Sequence, residues 1–139
     1  MTATPESALV SMLRANGAVA AVVGARVWPN SRPQGNAYPA ITVTRISGAP
    51  EYADDGEVGL LPSRIQISCW GLTYSDAKEL AVLVTAALSS GHDVVQDGVT
   101  FIHILLDNEQ DLHEFGANNA EFPHQIVLDF LTMTTRPAD

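Results

Sequence analysis

The chain has a single cysteine, Cys69, so no disulfide can form within it. Positive charge is scarce too: seven Lys and Arg against sixteen Asp and Glu give a formal charge of −9 at pH 7. Gripping a nucleic acid backbone depends on clustered Lys and Arg, so this balance argues against specific DNA or RNA binding. No apolar run approaches the roughly 20 residues that cross a bilayer, and the amino terminus lacks a basic region followed by an apolar stretch. The expectation is a soluble protein made in a reducing compartment, with no membrane partner. Catalytic signatures are missing as well. There is no G-x-S-x-G elbow, P-loop or G-x-G-x-x-G cradle. His92, His103, His113 and His124 are far apart, and His113-Glu114 has no second histidine at metal-ligand spacing. Adjacent Asp54 and Asp55 in a flexible loop would not be held in the differing environments that acid–base work needs. No catalytic residue, cofactor or metal ligand is therefore assigned, and an enzyme is not expected.

What is present is a foldable pattern. At 139 residues with 46% hydrophobic and 17% charged residues, the chain suits one domain over residues 1–139 with an ordinary aliphatic core. Residues 64–71 alternate: Ile65, Ile67 and Cys69 share one side, Arg64, Gln66, Ser68 and Trp70 the other, as in a half-buried strand. Cys69 falls on the apolar side and reads as a small buried hydrophobe rather than a nucleophile. Thr73 follows as a helix cap able to accept from the backbone N–H of Asp76. Ala77, Leu80, Ala81, Val84, Ala87 and Leu88 then form the apolar side of a long helix.

Upstream, Thr4-Pro5-Glu6 opens a shorter helix with Leu9, Val10, Met12 and Leu13 on its apolar side, interrupted at Asn16-Gly17. A short Ala- and Val-rich turn is expected to end at Gly24, followed by an extended piece at Val27-Trp28-Pro29, a loop over 30–39 and a strand over 40–46. Residues 47–62 hold Gly48, Pro50, Gly56, Gly59 and Pro62 and read as a long loop or extended hairpin arm linking two paired strands. Asp97-Gly98 suits a two-residue turn between strands at 93–96 and 99–106. An irregular acidic connection is expected over 107–123, and a last strand over 124–134.

Both late strands look apolar on two sides. Phe101 and Leu105 oppose Ile102, Ile104 and Leu106, while Ile126, Leu128 and Phe130 oppose Val127, Leu131 and Met133. A sheet of that kind needs a layer on each face. Either the weaker helix covers the second face or a neighbouring copy does, and a homo-oligomer follows from the latter.

In order along the chain, Val22-Val23-Gly24, Arg26-Val27-Trp28-Pro29, Pro33-Gln34-Gly35, Tyr38-Pro39-Ala40-Ile41, Ile46-Ser47-Gly48, Arg64-Ile65-Gln66-Ile67, Cys69-Trp70, Tyr74 and Ala77 resemble the small tail terminator, or tail completion, proteins of long-tailed bacteriophages and prophages. Residues after 90 carry less of the likeness. The resemblance implies an α+β fold, a single mostly antiparallel sheet packed with one long and one shorter helix, assembling as a ring. It further implies a homo-oligomeric ring, usually a hexamer, at the head-proximal end of the tail in the virion neck, made in the host bacterial cytoplasm. Its partners would be the tail tube protein, whose polymerisation it stops, and the head–tail connector or stopper protein, with DNA passing through the channel without specific binding.

On that expectation, the arm at 49–61 and the connection at 108–122 supply subunit or tube contacts, with Tyr52, Leu60, Leu61, Leu112, Phe115 and Phe122 as apolar anchors. Asp54, Asp55 and Glu57 would face the channel and repel DNA phosphates. Two other readings stay open: a head-side neck adaptor or stopper, and an acidic DNA-mimic inhibitor. The mimic ranks low, since its carboxylates would have to be spaced along a rigid surface and here they sit in breaker-rich loops.

Overall fold

A computed structural model describes residues 4–30, 38–48, 52–53, 56–57, 60–89, 92–113 and 124–135. Helix α1, Pro5–Ala15, begins at a reciprocal cap: Ser7 N–H donates to Thr4 Oγ1 at 3.2 Å and Thr4 N–H donates to Ser7 Oγ at 2.9 Å. Asn16 stops it and starts the next element, its Oδ1 accepting from Val19 N–H at 3.1 Å. The stretch expected to be a turn is in fact a second helix, α2, Gly17–Val23. The side-chain cap supplies its start, alanines favour it, and Val19 and Val23, four residues apart, are both fully buried. The chain bends by 85° between the two helices.

Strands β1 (Val27–Pro29), β2 (Ala40–Gly48) and β5 (Leu60–Gly71) come next, with β3 (Tyr52–Ala53) and β4 (Gly56–Glu57) between the last two. Helix α3, Tyr74–Leu88, is followed by β6 (His92–Gln96), β7 (Val99–His113) and β8 (His124–Thr135). Six strands form one sheet in the order β1-β2-β5-β8-β7-β6; β1 pairs parallel with β2 and every other pair is antiparallel. The arm between β2 and β5 is a separate small hairpin, β3 with β4.

Thr73 Oγ1 accepts from Asp76 N–H at 3.1 Å and sets the start of α3, as its sequence implies. Asp97 and Gly98 both have positive φ, 53° and 81°, and turn β6 into β7. Ile65, Ile67 and Cys69 of β5 are fully buried, opposite Phe130, Leu128 and Ile126 of β8 and beneath Ala77, Leu80, Ala81, Val84 and Leu88 of α3. Each fully buried aliphatic of this size is worth about 1.5 to 3 kcal/mol. Leu9 and Leu13 of α1 and Val19 and Val23 of α2 join the same cluster, so all three helices lie on one side of the sheet. The weaker helix does not cover the second face. α1 touches β1 and β2 near one edge and β6 at the other, where Ser11 Oγ donates to Asp97 Oδ2 at 2.5 Å, so the sheet curls around it.

Two expectations about β7 are corrected. The residues from Asp107 to His113 are strand rather than irregular connection, laddered to β8 from Asn108↔Asp129 to His113↔His124. Nor do Phe101 and Ile104 oppose each other. A bulge between Phe101 and His103 adds one residue, and both Phe101 and Ile104 turn into the helix-covered core.

Candidate assembly interface

The face of the sheet away from the helices is built by the alternate residues of β5, β8 and β7. β5 contributes Pro62, Arg64, Gln66, Ser68 and Trp70, and across the ladder β8 contributes Met133, Leu131, Asp129, Val127 and Gln125. The half near Gly71 is mostly polar and is tied together by two side-chain hydrogen bonds. Gln125 Nε2 donates to Ser68 Oγ at 2.9 Å, and Trp70 Nε1 donates to Thr42 Oγ1 at 3.2 Å. The half near Leu60 is apolar. Pro62, Leu131 and Met133 are half-buried, Leu105 is 50% exposed opposite Leu131, and His103 stands opposite Met133. The second face is therefore apolar over one half, not over its whole length as the alternation suggested.

Ser47, Pro62, Arg64, His103, Leu131 and Met133 line a shallow groove of about 690 Å³ on this half. His103 Nδ1 is buried with no hydrogen-bond partner among the described residues. Arg64 closes one side, 2.7 Å from Asp107 and 3.6 Å from Asp129. With both side chains of the closer pair about one-third exposed, it orients the guanidinium more than it stabilises the fold.

The acidic β7 extension faces both ways. Glu109 and Asp111 lie on the helix side, opposite Leu128 and Ile126, and meet α3: Lys78 pairs with Glu109 and lies 3.8 Å from Asp111, while Tyr74 O–H donates to Asp111 at 2.9 Å. The bond to Glu109 and the nearby carboxylates raise the Lys78 pKa above its ordinary value. The bond to Asp111 raises that of Tyr74. Burial pushes the Cys69 thiol up, so it stays protonated and inert. Among the described residues no group of three His, Cys, Asp or Glu side chains could hold a metal ion.

Of the residues singled out from sequence, Leu60 and Leu61 open β5 half-buried, opposite Thr135 and Thr134. Tyr52 and Glu57 are backbone partners in the β3–β4 ladder. Leu112 pairs with Gln125 near the far end of β7, so it is not brought together with Leu60 and Leu61. Asp54, Asp55, Phe115 and Phe122 lie outside the described residues. The groove around His103 was not assigned from sequence, although the second apolar side of β8 pointed to its Leu131 and Met133.

Residues 7–135 match the family model described as tail completion protein gp17. Among solved structures, a chain from the virion of native gene transfer agent (GTA) particle has the same fold, with a TM-score of 0.75 and 20% identity, covering 94% of each chain. Comparison with curated proteins gives no match.

Proposed function

Because the chain belongs to the tail completion protein gp17 family, and so to the structural tail proteins of phage-like virions rather than to enzymes, we propose that it caps the head-proximal end of the tail tube as a ring. The ring, hexameric in this reading, stops addition of tube subunits and offers the head connector its docking surface. The observation that carries the reading is the family match over nearly the whole chain. An apolar half-face that nothing covers among the described residues, with the three helices on the other side, supports it, since such a face marks an interaction surface.

Within this reading Tyr52, Leu60, Leu61, Leu112, Phe115 and Phe122 anchor subunit or tube contacts, and Asp54, Asp55 and Glu57 line the channel. A channel lined with carboxylates repels phosphates and lets DNA slide. Changing those three acids to Lys should slow DNA ejection; an unchanged ejection rate removes them from the channel. The capping role itself is tested by adding purified chain, well below equimolar, to tube subunits that are polymerising. Tubes that stop lengthening support it. Growth that continues at the original rate contradicts it.

A further inference from the structure

Two apolar surfaces of this chain lie on opposite sides of its sheet, so within one copy neither can cover the other. One is the apolar half of the sheet face, where Leu60, Pro62, Leu131 and Met133 are half-buried and Leu105 is 50% exposed. The other is the outward side of α3. Ala77, Leu80, Ala81, Val84 and Leu88 face the core, and at about 3.6 residues per turn Ser75, Glu79, Val82 and Ala86 stand opposite them. From Leu80 to Leu88 the helix carries no charged side chain, and Thr85 is its only polar one. Val82 is nevertheless 59% exposed and Ala86 is exposed as well. A helix that is apolar all round belongs in an interior.

The two surfaces match in form. A shallow groove of about 550 Å³ runs along the outward side of α3, lined by Tyr74, Ser75, Glu79, Val82 and Leu83 among others. The sheet face has its own groove at Pro62, Leu131 and Met133. Each groove has a protruding aliphatic beside it, Val82 on the helix and Leu105 on the sheet. Their dimensions agree too. Eight steps of helix from Leu80 to Leu88 measure about 12 Å, and four steps of strand from Leu60 to Arg64 about 14 Å. Across β5, β8 and β7 the face is about 10 Å wide between outer strands, close to one helix diameter. The inner side of α3 already packs on the same two central strands, β5 and β8, from the other side.

We propose that the outward side of α3 on one copy docks on the apolar half of the sheet face on the next, Val82 entering the groove at Pro62, Leu131 and Met133 while Leu105 enters the groove along α3. The small side chains of Ser75 and Ala86 let the helix approach the strands closely. A second copy is the occupant because every copy carries one of each surface. Head-to-tail contacts that close on themselves cover all of them, whereas a symmetric pairing of α3 with α3 would leave both sheet faces uncovered. The footprint of one helix is small for a lasting pair of free copies. Closure supplies the rest, since each copy in a ring is held on two sides at once. The inference rests on the ring reading above and adds the surfaces that join its subunits.

The test is covalent capture with a short bismaleimide of the chain carrying both Val82→Cys and Met133→Cys, with each single variant alongside. Fully buried Cys69 offers no competing thiol, and the two new ones lie on opposite sides of the sheet, so a link between them joins two copies. For a closed oligomer identified by native mass spectrometry, denaturing electrophoresis should show a ladder up to the full ring for the double variant and monomer alone for each single one. Val82→Glu, at a position 59% exposed, should raise the concentration at which copies associate tenfold or more while leaving the unfolding midpoint of the monomer in place. A closed oligomer that gives no ladder, or wild-type association in Val82→Glu, overturns the contact and leaves the ring standing. Dimers from a single variant overturn it too, because they require a symmetric contact. A wild-type chain that stays monomeric both alone and on tail tubes overturns the ring and the contact together.

Discussion

Gly71 joins the core strand β5 to α3 with no room for a side chain. A Cβ there would lie 2.7 Å from the backbone nitrogen of Ala77 and 3.0 Å from Asp76 Cβ. Gly71→Ala should therefore push the first turn of α3 off β5 and cost about 1 to 3 kcal/mol, read as a lower urea midpoint. Two residues on, Thr73→Ala removes the acceptor for Asp76 N–H and should cost about 1 kcal/mol, while Thr73→Ser should restore most of it. Equal stability of the Ala and Ser variants would show that the cap contributes little. Thr73 was legible in the sequence because capping is local chemistry. The demand on Gly71 was not, because it arises from a contact six residues ahead that exists only after strand and helix have packed.

At the scale of elements, β7 is where local pattern and observed structure part. Its alternation placed Phe101 and Ile104 on opposite sides, and a single extra residue reverses that, something no period-two count can foresee. Its acidic second half looked like solvated loop. It is strand because β8 supplies a full ladder and because Arg64 and Lys78, on two other elements, face its carboxylates. The helices and β5 were legible since each needs only its own periodicity. α2 was missed because seven residues give too few turns for one to show.

The contact between β7 and α3 should also respond to pH. Tyr74 and Lys78 hold their protons more tightly when folded, so their contribution is fully present below their ordinary values of 10.0 and 10.5 and is lost as pH rises through the elevated ones. Thermal stability should accordingly fall above about pH 10, and Tyr74→Phe should flatten part of that slope. An identical alkaline slope in the variant would remove the bond to Asp111 as its cause.

For the whole molecule, three helices on one side of a curled sheet leave a half-apolar face with no covering layer among the described residues. Leu131→Glu together with Met133→Glu on that face should leave the helix-side core intact. The concentration at which copies associate should rise tenfold or more, as expected for loss of a buried apolar anchor and read by sedimentation. Wild-type association in the double variant would show that the groove is not part of the assembly contact. The second apolar side of β8 was readable from its two-sided alternation, whereas which half of the face is apolar depends on side-chain pairs between strands far apart in sequence.

The most direct measurement is electron microscopy of a lysate from particles lacking this chain, scoring tail length and head attachment. A tube-capping ring predicts overlong tubes without heads. Tails of normal length lying beside unattached heads would contradict it and move the protein to the head side of the neck.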